Sequence, residues 1–221
     1  MTTLPEGTLT LCFCDVERST ELTARMGDHW PEVLARIRTI MGTAVTGAGG
    51  VVVDSRADEQ FAVFRSARAA VSAATAVQRI LTKEQWPGDE TVRVRIGLHT
   101  GEPGRSDGGY TGLDVVLASR LCNAAHGGQV LLSETTSSIS QARGRDLGAH
   151  VLKDFERPHH IFQLEAEDLP TEFPPLRVDS ASDDPKKRLE RAEQDLERRI
   201  MDQVARGLER AALPGGKRKE R

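Results

Sequence analysis

Apolar and polar residues alternate from Thr8 to Phe13, and this period of two predicts a first strand closing at Asp15. The polar run Glu17-Arg18-Ser19-Thr20 follows, with Ser19 or Thr20 placed to cap a helix. Apolar residues then recur at helical spacing from Trp30 to Val45, through Val33, Leu34, Ile37, Ile40 and Met41, and the stretch Gly47 to Gly50 ends that helix. Val51-Val52-Val53 has the continuous apolar character of a buried strand. Arg56-Ala57-Asp58-Glu59 reads as a turn, and Phe61-Ala62-Val63-Phe64 as the hairpin partner. Ala67 to Leu81 is a helix rich in Ala and Val, and Trp86-Pro87-Gly88-Asp89 is a loop.

The stretch Val92 to Ser133 organises the rest. An alternating strand, Val92 to Leu98, runs into a polar, glycine-dense arm from Glu102 to Gly112. A helix follows with Val115, Leu117, Ala118, Leu121 and Ala125 on its apolar face; Gly127-Gly128 stops it, and Val130-Leu131-Leu132 is a short strand. Strand, arm, helix and strand in this order imply a crossover packed on a sheet. Glu134 to Gln141 reads as a short helix, and His150–Asp154 and His160–Leu164 as closing strands. The sum is β-α-β-β-α-β followed by α-β, an α/β (α+β) fold of the ferredoxin-like, split βαβ plan with added elements.

This domain is expected over residues 8–168, followed by a Pro-rich and polar linker over 169–184. Leu189, Ala192, Leu196, Ile200, Val204 and Leu208 then repeat at helical spacing amid dense charge, predicting an amphipathic helix over 185–213. That narrow stripe suits packing on its own domain or on a dimer mate, and the absence of clean heptads leaves a coiled coil open. Residues 214–221 form a basic tail.

Composition narrows the function classes. A net charge of −3 over 221 residues gives the whole molecule no bias toward polyanions. Six Phe, two Trp and one Tyr leave little for stacking on nucleic-acid bases. Cys12, Cys14 and Cys122 have no metal-ligand spacing; Cys12 and Cys14, two apart on a strand, share a face and suit a role as small apolar groups. A reducing cytoplasm is the simple expectation. No basic-then-apolar leader opens the sequence, and no window reaches membrane-spanning length. The histidines are scattered without metal spacing and read as structural or surface residues.

Two acids stand where loops meet strand ends: Asp15 closes strand one, and Asp58 sits at the hairpin tip. In a split βαβ sheet these strands can be neighbours, so the carboxylates can converge. Oxygen ligands of this kind suit Mg²⁺, which takes a few carboxylates together with phosphate oxygens. The helix start after Asp15 offers backbone N–H groups to phosphate.

Beyond spacing, five blocks resemble the class III adenylate/guanylate (nucleotidyl) cyclase catalytic domain, in order, over about residues 8–165. Phe13 to Thr20 resembles its F-T-D-[IV]-x-x-S-T metal signature. Gly49 to Phe64 is similar to its G-G hairpin with the second metal aspartate. Arg95 to Glu102 resembles its R-[IM]-G-x-H-x-G strand, Gly112 to Leu121 its helix ending in A-x-R-[LM], and Gly127 to Ser133 its G-[GE]-[IV] strand. Leu147 to Arg177 is further similar to cyclase-like domains of actinobacterial multidomain regulators.

The resemblance implies two chains paired head to tail, as a homodimer or a heterodimer, with each site spanning the interface. It implies a nucleoside triphosphate substrate, ATP or GTP, and two Mg²⁺ or Mn²⁺ ions. Asp15 and Asp58 match both metal aspartates, and Val16 the residue that lends a carbonyl. Ser19 and Thr20 match positions beside the substrate phosphates, and Arg120 the arginine that stabilises the charged transition state. Other matches fail: the base-reading lysine is Asp54, the second base-reading position is Gly109, and the ribose-orienting asparagine is Val116. The glycines flanking the second metal aspartate are Ala57 and Glu59. An ionised Asp54 cannot donate to adenine N1, although a carboxylate suits the donors of guanine. Val116 leaves a polar contact unmade, a loss typically on the order of 10²-fold in rate. Ala57 and Glu59 lack the freedom of glycine at φ > 0, so the turn is expected to aim Asp58 differently. Three roles follow as expectations: a cyclase of weak activity and altered base preference, a pseudocyclase that dimerises or regulates, or the metal-donating half of a heterodimer.

Overall fold

In a computed structural model of the chain, which describes residues 4–106 and 108–178, a seven-stranded sheet carries helices on both faces. The elements run β1 (Leu9–Val16), α1 (Ser19–Met26), α2 (Trp30–Gly47), β2 (Val51–Arg56), β3 (Glu59–Phe64), α3 (Ala67–Lys83), β4 (Val94–Gly101), β5 (Gly104–Ser106), β6 (Gly109–Thr111), α4 (Leu113–Ala124), β7 (Val130–Ser133), α5 (Glu134–Ser140), β8 (Gly144–His150) and β9 (His159–Leu164). The sheet order is β2-β3-β1-β4-β7-β9-β8. Its first four strands have the split βαβ order expected from the sequence. The helix expected over 185–213 and the basic tail lie outside the described residues.

Strand β1 is central because both of its faces are apolar. Leu9, Leu11 and Phe13 point to one side and Cys12, Cys14 and Val16 to the other, as a period of two requires. The Cys side meets α1, α2 and α3 through Leu22, Ile37, Met41, Ala70 and Val77. The Phe13 side meets α4 and the β6 segment through Ala118, Cys122 and Tyr110. Phe13 stacks on its cross-strand partner Phe61, centroids 4.4 Å apart. All three cysteines are free and buried, and the Sγ atoms of Cys12 and Cys14 lie 3.7 Å apart on one face, as expected of small apolar groups.

The Val92–Ser133 unit is the expected crossover: β4 and β7 pair in parallel, with α4 between them. Gly97 lets α4 lie against β4, because a Cβ there would stand 2.3 Å from the Cys122 amide nitrogen. A buried polar chain crosses the same region. His99 Nδ1 and Nε2 lie 2.9 Å from Ser133 Oγ and Asp114 Oδ1, respectively, and the Asp114 carboxylate also accepts from the Glu102 N–H at 2.9 Å. Thr136, fully buried, lies 3.1 Å from Ser133 and 3.0 Å from Thr100 through its hydroxyl.

Three local expectations are corrected. Ser19 and Thr20 do not cap α1. The residue before the helix is Arg18, in the left-handed region (φ 56°, ψ 36°), and Ser19 is already helical. The Arg18 carbonyl accepts from the Glu21 and Leu22 amides at 3.0 Å, and the Arg18 side chain folds onto Glu21. The closing strand is Gly144–His150 rather than 150–154; Leu152 is buried, but as a loop residue in the cluster under α4. The polar arm contains a small hairpin, β5–β6.

After β9 the chain lies back across the domain as a strap. The Gln163 amide donates to the Thr171 carbonyl at 2.7 Å, and the Arg177 N–H donates to the Ala124 carbonyl at the end of α4 at 3.0 Å. His126 Nε2 lies 2.9 Å from the Pro175 carbonyl oxygen. Leu176 and Val178 pack on the apolar cluster of Leu121, Leu131 and Ile161.

Candidate functional site

Antiparallel pairing of β1 with β3 brings the end of strand one beside the β2–β3 tip, where Asp15 opposes Glu59 and the Val16 N–H donates to the Asp58 carbonyl at 3.2 Å. The two aspartates that the sequence singled out thus meet at one end of the sheet. They are close enough for the Asp58 charge to act on Asp15. Burial pushes the Asp15 carboxyl above its ordinary value and the Asp58 charge adds to the rise, while Arg95 offsets part of it. Arg95, directly across β4 from Asp15, donates Nε–H to Asp15 Oδ2 at 2.7 Å, and its Nη1 donates to the Asn123 carbonyl on α4 at 3.3 Å. Glu59 is likewise raised, first by burial and then by the charges of Asp15, Asp58 and Asp54.

Hard oxygen donors, half-buried and mutually repelling, fit a divalent cation with an open coordination sphere. Among the described residues no third His, Cys, Asp or Glu completes a protein cage around a metal. Such a carboxylate pair suits Mg²⁺ or Mn²⁺, with the remaining ligands coming from water and phosphate.

Ser19, Thr20, Trp30, Leu34, Ala57 and Asp58 line one cavity of about 360 Å³ between the start of α1, α2 and the hairpin tip. At that tip Ala57 adopts φ 46°, the left-handed conformation expected of the glycine it replaces. Asp58 therefore follows a glycine-like turn despite the missing glycine.

Two of the positions where the resemblance fails, Gly109 and Asp54, lie near each other. Gly109 opens β6, and a Cβ there would lie 3.7 Å from Val53 Cγ1, next to Asp54. Asp54 is exposed and turned back on its own strand: it accepts from the Ser55 N–H at 2.9 Å and pairs with Arg56 at 2.8 Å. Val116 is half-buried on α4. Arg120, one turn further along, pairs with Asp154, with Nε donating to Oδ2 at 3.0 Å. Asp154 sits at φ 68° in the loop before β9.

Sequence reasoning alone missed the partners. Arg95 was readable in principle, since antiparallel pairing of β1 and β4 sets it opposite Asp15. Asp154 carries no such signal, because a loop brings it to α4.

A β-α-β-β-α-β sheet with a metal-suited carboxylate pair at the first hairpin is the architecture of the nucleotidyl cyclases. The adenylate and guanylate cyclase catalytic domain profile matches residues 2–156, and the chain belongs to this family. It is similar to an uncharacterized protein of Mycobacterium tuberculosis, 36% identical over 186 residues, covering 80% of this chain and 63% of that protein. The chain thus spans less than two thirds of this curated relative. Among solved structures it resembles Trypanosoma brucei adenylate cyclases in their monomeric state (TM-score 0.72, 25% identity, covering 78% of this chain and 95% of the other). It also resembles the adenylyl cyclase CyaB of P. aeruginosa (TM-score 0.65, 28% identity, 74% and 97% covered). Among the described residues no helix is long and apolar enough to cross a membrane.

Proposed function

We propose that this domain binds a nucleoside triphosphate, ATP or GTP, between two head-to-tail chains, and that it serves its conversion to a 3′,5′-cyclic nucleotide in cytoplasmic signalling. In that reaction the ribose 3′-oxygen bonds to the α-phosphorus, the bond from that phosphorus to the β-phosphate bridge breaks, and pyrophosphate leaves. The observation that carries the reading is the meeting of Asp15 and Asp58 beside the start of α1 in a chain of this family. Mg²⁺ or Mn²⁺ held by these carboxylates and the Val16 carbonyl would supply Lewis acidity, lowering the hydroxyl pKa and neutralising phosphate charge.

The chain's own residues do the positioning. Arg95 fixes Asp15 Oδ2 and opposes the rise in its pKa that burial causes. The first amides of α1, near Ser19 and Thr20, would donate to phosphate oxygens. Arg120 would give its charge to the site shared with the facing chain, leaving Asp154 to do so.

The base-reading half is weaker. Asp54 accepts only, Gly109 has no side chain, and Val116 makes no polar contact with ribose. In a homodimer both sites would carry the same gaps, and turnover would be slow. Pairing with a cyclase chain that carries the lysine, asparagine and arginine would complete one site. A regulatory or dimerising pseudocyclase is the second reading, favoured by those same three positions. The purified protein, incubated with ATP or GTP and Mn²⁺, is expected to form cyclic nucleotide slowly, and faster when mixed with an intact cyclase mutated at its metal aspartates. No product in either mixture, with Asp15→Ala leaving nucleotide and metal binding unchanged, would sink the catalytic reading.

A further inference from the structure

The geometry points to Arg38 as the positioning residue for Asp58, a role that rests on the metal reading of Asp58 above. Ala57 stands at φ 46°, which residues with a Cβ seldom adopt. Something must hold it there. Arg38 reaches from the middle of α2 and donates Nε–H to the Ala57 carbonyl at 3.0 Å, and its Nη2 donates to the same oxygen. The base of this clamp is rigid, because Ile37, Ile40 and Met41 on either side of Arg38 are buried against the sheet. On the far side of the tip, the Val16 N–H holds the Asp58 carbonyl at 3.2 Å. The carbonyls before and after the Asp58 Cα are thus both fixed, one by α2 and one by β1. Only the carboxylate is left to swing.

Ala57 and Arg38 belong together. A glycine would take the left-handed turn with little cost and need no clamp. Alanine needs one, and the guanidinium fork supplies two N–H groups to a single carbonyl. Arg38 therefore substitutes from α2 for the freedom that a glycine would have given the hairpin. Its contact is with the backbone that carries Asp58.

The test is a double-mutant cycle on Arg38→Met and Ala57→Gly, which keeps the aliphatic stem and removes the fork. Any change from losing the Arg38 charge is the same in both backgrounds and cancels. In metal-free protein, Arg38→Met should speed amide hydrogen exchange at Glu59, which pairs with Arg56 across the hairpin tip, about tenfold, the worth of a charge-assisted hydrogen bond. In the Ala57→Gly background the same change should be under about threefold. The dissociation constant for Mn²⁺ should weaken about tenfold in Arg38→Met and recover when Ala57→Gly is added. Equal effects of Arg38→Met in both backgrounds, on exchange and on Mn²⁺, overturn the clamp. If the parent protein binds no Mn²⁺, or Asp58→Asn binds it equally well, the metal reading of Asp58 falls, and the exchange rates alone decide the clamp.

Discussion

Gly97→Ala should be among the most damaging single-methyl changes in this domain, and its cost can be worked from the packing of α4 on β4. A Cβ on Gly97 would stand 2.3 Å from the Cys122 amide nitrogen, 2.6 Å from the Ala118 carbonyl oxygen and 2.9 Å from the Cys122 Cα. Ordinary carbon contacts lie near 3.5 Å, so the overlap is about 1 Å. All three obstructing atoms are helix backbone, and no side-chain rotation relieves them. The whole of α4 would have to lift from the sheet, away from Leu11, Phe13 and Leu131. Overpacking of a well-filled core typically costs about 1–3 kcal/mol, and backbone obstruction puts Gly97→Ala at about 3 kcal/mol. For a domain of this size that lowers Tm by about 6–12 °C. Urea denaturation followed by circular dichroism measures it, with Gly47→Ala as the control. Gly47 has open space around its Cβ position at the end of α2, and alanine there should be neutral or stabilise by up to about 1 kcal/mol. A loss of less than about 1 kcal/mol for Gly97→Ala would refute the close α4–β4 approach.

Two further outcomes follow from buried polar groups. Asp15 holds its proton more tightly in the folded chain than its ordinary value of 3.8. Below that value both folded and unfolded chains carry the proton. As pH rises through the window above it, the unfolded chain releases the proton first, so the Asp15 contribution to stability falls with rising pH. Asp15→Asn should flatten that part of the metal-free urea midpoint between pH 3 and 7; an unchanged profile would mean that Asp15 is not desolvated. Thr136→Val should cost about 1–3 kcal/mol, read as a lowered thermal midpoint, because Thr100, Ser133 and the Leu98 carbonyl all lose a partner at a fully buried position. A wild-type midpoint would show that the hydroxyl chain contributes nothing.

How much of this was legible in the sequence depends on where each signal lies. The core strands were readable because burial on one or both faces writes an alternation or an apolar run into β1, β3, β4 and β7. The edge strand β8 was not, because Gly144-Arg145-Asp146-Leu147-Gly148-Ala149-His150 is half-exposed and has no apolar period. The buried Leu152, which packs from a loop, drew the expected strand toward itself. Arm strands three residues long carry no period at all, so β5–β6 was invisible. At the site, the meeting of Asp15 and Asp58 followed from a topology that the order of elements already implied. The caps and clamps did not follow. Arg18 starts α1 from a left-handed conformation that Ser19 and Thr20 gave no reason to suspect. Arg38 and Ala57 are nineteen residues apart, and Arg120 and Asp154 thirty-four. No local pattern links either pair.

The strap has a consequence for how such a domain can be inherited and joined to others. The profile match stops at residue 156, yet β9 (His159–Leu164) lies between β7 and β8 in the sheet. A gene fusion cut at that point would deprive β8 of its neighbour and leave Leu131 and Leu132 without theirs. A cut after β9 would still strip Leu176 and Val178 from the cluster around Leu121 and free the carbonyl at the end of α4. The transferable module, the piece that can move between proteins with its interior closed, runs to Val178.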